Sequence, residues 1–151
     1  MSDASDSSAL VHQVQVQHKE LHRMLDDIRL QCDRLAIPSE ASAAATHLKE
    51  VVHRLQKFLQ HHFQQEEEGG WLEEAAARIP RLSQSLTNLE KEHRELLGQT
   101  EQLIAHLELP PGELLAAVPR FAALIDAIKT HEAREEEVLS QGFNEDLDVT
   151  S

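Results

Sequence analysis

Six residues of this 151-residue chain share types and spacings that suit metal chemistry: His18, His62, Glu66, His93, His131 and Glu135. His62 and Glu66 stand four apart, as do His131 and Glu135. On a helix that spacing puts each pair on one face, about 6 Å apart along the axis. The surroundings repeat as well. His18-Lys19-Glu20-Leu21 is echoed by His93-Arg94-Glu95-Leu96, and His62-Phe63-Gln64-Gln65-Glu66-Glu67-Glu68 by His131-Glu132-Ala133-Arg134-Glu135-Glu136-Glu137. The offsets are 75 and 69 residues (93 − 18 and 131 − 62). The chain therefore reads as two copies of a helical hairpin, each bearing a His and then a His-x-x-x-Glu. Four imidazoles and two carboxylates suit two first-row metal ions of intermediate softness, with the carboxylates able to bridge them.

Taken singly, any of these histidines reads as a solvated surface residue, and His12, His47, His53, His61 and His106, which have no matching partner, are read that way. Glu68 and Glu137 are read as solvated too. Glu67, Glu136 and His22 lie beside the pattern and are candidates for supporting groups or extra ligands. The six read otherwise because each falls in phase with the apolar stripe of its own segment. A buried His or Glu costs several kcal/mol unless it is hydrogen-bonded, paired or metal-bound.

Four long segments with a 3.6-residue apolar period must position these side chains. The first runs from a cap at about Ser8 to Leu35, with Val14, His18, Leu21, Leu25, Ile28, Cys32 and Leu35 on one face. Ile37-Pro38-Ser39-Glu40 breaks it, and Ser39 is a candidate cap for the second. That segment turns Leu48, Val52, Leu55, Leu59, His62 and Glu66 inward, and Gly69-Gly70 ends it. A short helical piece, residues 71–78, is closed by Ile79-Pro80. The third segment presents Leu82, Leu86, Leu89, His93, Leu96 or Leu97, Thr100, Ile104 and Leu107. After Leu109-Pro110-Pro111-Gly112 the last spans about Glu113 to Leu139, with Leu124, Ile128, His131, Glu135 and Val138 or Leu139 inward. Pro119 falls inside it, so a kink or an offset first turn is expected. Counted along the helices at 1.5 Å per residue, the six donors fall within roughly 5–9 Å of one level. The expected fold is all-α: an up-down antiparallel four-helix bundle over residues 8–143, with a short extra helix between the second and third. Residues 1–7 are expected to be a disordered tail and 144–151 an acidic one.

Composition narrows the partners. With 14 Lys and Arg against 27 Asp and Glu, the formal charge is −13 and no basic run is present, which argues against nucleic acid. An aromatic content of 3% and few glycines and prolines argue against a sheet protein. A single cysteine, Cys32, excludes an intrachain disulfide and reads as a small buried hydrophobe. No apolar run is long enough to span a membrane. The acidic start, Met1-Ser2-Asp3-Ala4-Ser5-Asp6, lacks the features of a secretory signal, so a cytoplasmic location is expected.

On His18, on His62-Phe63-x-x-Glu66-Glu67, on Glu92-His93 and on His131-x-x-x-Glu135, the chain resembles the hemerythrin-like, HHE cation-binding family, from about Leu10 to Leu139. The resemblance implies a non-heme di-iron centre, oxo- or hydroxo-bridged when oxidised, with Glu66 and Glu135 as bridging ligands. The oxygen-carrying branch has a His-x-x-x-His on the third helix, and here the first of those positions is Leu89. That branch also ends its site with His-x-x-x-x-Asp, where this chain has Glu135 at plus four and Glu136 at plus five. A single His on that helix and a closing His-x-x-x-Glu look more like iron-sensing and redox-active members. The implied function is binding or redox processing of dioxygen, peroxide or nitric oxide. The alternatives are an iron- or oxygen-sensing module without turnover, and a metal-free helical interaction protein. The pattern itself assigns no catalytic residue and no protein partner.

Overall fold

The computed structural model describes residues 2–68 and 70–143. Six α-helices follow in order: α1 (Ser2–Leu35), α2 (Ala41–Glu67), α3 (Trp71–Arg78), α4 (Ser83–His106), α5 (Pro111–Ala116) and α6 (Val118–Phe143), with one 3-10 turn at Pro80–Leu82. Among the described residues there is no strand, and no helix is long and apolar enough to cross a membrane. The four long helices form a ring in which α1 packs on α2 and α6, and α4 packs on α6 and α2. This is the expected antiparallel bundle, with α3 as the extra helix.

The apolar stripes read from the sequence face inward. On α1 the stripe from Val14 to Leu35 is buried throughout, and on α2 so is the one from Leu48 to Glu66. Burying a Leu, Ile or Phe side chain stabilises the fold by about 1.5–3 kcal/mol, which is why these stripes set the helix orientations. Two apolar clusters result. The larger holds Leu25, Ile28, Leu48, Leu55, Phe121 and Ile125, and includes Cys32. The smaller holds Val11, Val14, Trp71, Leu86, Leu89 and Leu139, and is roofed by α3. The six metal-suited side chains lie between the two.

Several local expectations are corrected. The first helix continues upstream of Ser8 to Ser2, since residues 2–7 contain neither Pro nor Gly. Ser39 does not cap α2. Glu40 occupies that position without a side-chain cap bond, because its carboxylate accepts from Arg34 Nε at 2.9 Å. Leu103, rather than Ile104, is the buried residue near the end of α4, and Ile104 packs at the margin of the core. Pro119 kinks nothing. The chain breaks before it into α5 and α6, so its missing N–H falls in the first turn of α6, where no helical partner is needed. The acidic tail lies outside the described residues.

The join between α2 and α3 is tight. A Cβ on Gly70 would stand 2.2 Å from the carbonyl oxygen of Gln65 and 2.6 Å from that of Glu66. Only glycine lets the chain fold back so closely on the end of α2. The Gly70→Ala variant is therefore expected to lose about 1–3 kcal/mol of stability, measured by denaturant or thermal unfolding. Wild-type stability in that variant would mean the join has slack the geometry does not show.

Candidate metal centre

Four helices each send imidazole or carboxylate groups to one level of the bundle. His18 comes from α1, His62 and Glu66 from α2, His93 from α4, and His131 and Glu135 from α6. All six are buried, none more than 5% exposed. The structure brings together the full set read from the sequence. His22 stays at the surface, and none of the five unmatched histidines joins the cluster.

The donors sort into two overlapping groups, His18–His62–Glu66–Glu135 and Glu66–His93–His131–Glu135. Within each group the ligand atoms all lie within 4.8 Å of one another. Both carboxylates belong to both groups. Glu135 turns Oε1 toward His18 Nε2, at 3.2 Å, and Oε2 toward His93 and His131 Nε2, at 3.2 and 2.9 Å. Glu66 does the same, with Oε2 3.2 Å from His62 Nε2 and Oε1 3.1 Å from His93 Nε2. Each carboxylate thus offers one oxygen to each pair of imidazoles.

The outer nitrogen of each imidazole is held by an acceptor. Nδ1–H donates from His18 to Glu136 at 3.2 Å, from His62 to the Gln17 amide oxygen at 2.6 Å, from His93 to Glu67 at 2.6 Å, and from His131 to Glu92 at 2.7 Å. Such bonds fix the tautomer, so that Nε2 faces inward as the ligand atom, and make the imidazole more basic. Glu67 and Glu136, candidates from the sequence, are supporting groups of this kind. Gln17 and Glu92 were not singled out for that role. The internal repeat carried the signal, because each directly precedes the matched histidine of its hairpin. Trp71 and Glu132 were also missed. Trp71 Nε1–H donates to Glu66 Oε2 at 3.2 Å, tying α3 to the centre. Glu132 is buried beside His18 and accepts from His22 Nε2 at 3.0 Å.

Whether the residues fit metal can be tested on the polar atoms themselves. His62 Nε2 and Glu66 Oε1 are buried without hydrogen-bond partners, each an expense of about 1–3 kcal/mol if nothing else binds them. Both point into the shared space of the cluster, where a cation would satisfy them. The donor set of imidazole and carboxylate matches iron, manganese or zinc better than magnesium or calcium. The fit is good.

Protonation is strongly coupled in this layer. Burial lowers the pKa of His18, but Glu135, Glu136 and Glu132 outweigh it and raise it to about 10. Against the same opposition from burial, Glu135 and Glu66 raise His62 to about 9 and, with Glu67, raise His93 to about 10. For His131 burial again opposes, and Glu135 and Glu92 lift it above its ordinary value. Burial pushes Glu135 upward, but the four imidazoles around it hold it well below the usual carboxylate range.

The family model of the hemerythrin HHE cation-binding domain matches residues 9–143, and the chain belongs to that family. No curated protein and no solved structure matches it at a significant level. The family is one of cation-binding domains, and the buried His and Glu groups are placed so that they could hold a metal.

The pKa shifts set an expectation for the metal-free protein. Raised imidazole values give stability that is complete below the unfolded pKa of about 6.5. It is lost as pH rises through about 9 for His62 and about 10 for His18 and His93. The depressed Glu135 acts in the opposite sense, and its contribution is lost in acid. Chelated protein should therefore have its highest Tm between about pH 5 and 6.5, falling toward pH 10. Metal affinity should rise over that alkaline interval, since the ion displaces the imidazole protons. Scanning fluorimetry with and without chelator tests both. A chelated protein that gains stability from pH 6.5 to 9.5 would contradict the cluster described here.

Proposed function

We propose that the centre holds two iron ions, ligated by His18, His62, Glu66, His93, His131 and Glu135, and serves to bind or redox-process dioxygen, peroxide or nitric oxide. The observation that carries this reading is the double-facing pair of carboxylates. Glu135 presents Oε1 to His18 and His62 and Oε2 to His93 and His131, and Glu66 presents Oε2 to His62 and Oε1 to His93. A single-ion site would have no use for two such pairs. When bound, two adjacent ferrous ions supply two electrons and open coordination positions for a small ligand.

The protein supplies the rest. Gln17, Glu67, Glu92 and Glu136 hold the four imidazole rings by Nδ1, so the ligand atoms are aimed before any ion arrives. Trp71 fixes one oxygen of Glu66. One helical turn from His18 and His93 lie Val14 and Leu89, both buried in the smaller apolar cluster with Trp71 and Leu139. These residues exclude water on that side and contribute no ligand. They also distinguish this chain from an oxygen carrier, in which a fifth imidazole would stand at the position of Leu89.

Anaerobic loading with ferrous ion followed by elemental analysis should return about two iron ions per chain. Glu135→Gln should lose both, because its carboxylate faces both imidazole pairs, whereas His62→Ala should weaken one position more than the other. Uptake of a single ion by the wild type would refute the two-ion assignment. Leu89→His places an imidazole one turn before His93. It should slow aerobic oxidation of the ferrous protein, at a stability loss of about 1–3 kcal/mol from overpacking. Stopped-flow mixing with oxygen measures the rate. A stable, reversible oxygen complex in the unmutated protein would restore oxygen carriage as the function.

A further inference from the structure

The six donors of the centre are sealed from solvent, so an ion arriving from solution must pass a wall of the bundle. The two walls related by the internal repeat differ. Phe63 on α2 corresponds to Glu132 on α6, and Leu97 on α4 corresponds to His22 on α1. On the α4 side, Phe63 stacks on the His93 ring, with centroids 3.9 Å and planes 6° apart, and Leu97 packs against the main apolar core. At these two positions that wall is apolar, with Glu67 beside them holding His93 Nδ1.

On the α1 side the same positions are polar, and they floor a cleft of about 560 Å³ between α1 and α6. Glu132 is only 4% exposed. Its Oε1 accepts from His22 Nε2 at 3.0 Å, while Oε2 is buried without a hydrogen-bond partner, 3.6 Å from His18 Nδ1. Glu136 Oε1 lies 3.2 Å from the same Nδ1, with its side chain half in solvent. Lys19 and Lys129 stand exposed at the rim.

We propose that His22, Glu132 and Glu136 form a loading site for a divalent first-row cation on the outer side of His18. The proposal rests on the reading of the centre as a metal site. Two ligands at right angles around an ion with bonds of about 2.1 Å are about 3.0 Å apart. The His22–Glu132 separation is 3.0 Å. The orphaned Glu132 oxygen gives a reason for the ion to stay, and imidazole with carboxylate selects ferrous or manganous ion over magnesium or calcium. The formal charge of −13 draws cations to the surface. The two lysines oppose this, but their ammonium groups are solvated and screened, while the three donors bond to the ion directly. Only the His18 ring separates this cleft from Glu135, with Nδ1 outward and Nε2 inward.

The test uses the full-length chain, stripped of metal, and cobaltous ion, whose visible absorption reports coordination in stopped flow. His22→Leu copies the repeat-related Leu97 at an exposed position, and Glu132→Gln keeps the side-chain shape. Both variants should fill the central positions to the wild-type extent, but about tenfold more slowly. Uptake in both within about twofold of wild type would overturn the proposal. Slow uptake with a lower final occupancy would place these side chains in the centre itself, and so would overturn it too. A wild-type chain that takes up no cobalt at all would instead sink the reading of the centre on which the proposal rests.

Discussion

The structure depends on one constraint: six polar side chains are sealed in the middle of a helical bundle, and their desolvation must be offset locally. Glu135 is the hub. Its carboxylate is fully buried and lies within 4 Å of all four imidazoles. Removing such groups from water is expensive by several kcal/mol each unless every lone pair and proton finds a partner. The helices must therefore stand at one register relative to one another, because a slip of one residue on any of them would rotate a charged group into an apolar layer. The leucine stripes above and below are permissive about register by comparison, since hydrophobic contact has no direction.

That difference explains what could be read from the sequence. The apolar period of each helix and the four-residue spacing of His62–Glu66 and His131–Glu135 are set along the chain, and both are legible in it. So is the phase of His18 and His93, since each continues the stripe of its own helix. Contacts that cross between helices are another matter. Nothing in the spacing along the chain marks Glu132, yet it is buried because α6 turns it toward His18 and His22 across a helix interface. Trp71 reads as the start of a loop helix, and its role comes from the reversal at Gly70, which no period encodes. The failure of Ser39 as a cap has the same origin, since Arg34 on the preceding helix had already engaged Glu40. The break before α6 was foreshadowed by Pro119, but whether it kinks or divides a helix is decided by packing.

The two hairpins are alike in their ligands and unlike in what stands behind them. His62 leans on Gln17, whose amide nitrogen donates to Gln65 at 2.9 Å, a chain of neutral groups. The repeat-related His131 leans on Glu92, which is paired with Arg134, a chain of ions. The same three positions of the repeat thus carry two chemical solutions to one geometric demand. Positioning requires only an acceptor at the right distance, so the hairpins share their geometry without sharing their charges. A bonded carboxylate makes an imidazole a stronger electron donor than a bonded amide does. The symmetry of the fold is therefore not a symmetry of electronic environment.

Trp71 has a consequence beyond structure. It is the only tryptophan in the chain, and with no tyrosine present the near-ultraviolet emission of the protein belongs to one indole. That indole is hydrogen-bonded through Nε1 to Glu66, a carboxylate shared by both ligand groups. The excited state of indole is sensitive to the charge held by its hydrogen-bond acceptor and is quenched by a nearby paramagnetic ion. The chain thus carries its own optical gauge at the wall of the centre, without any label.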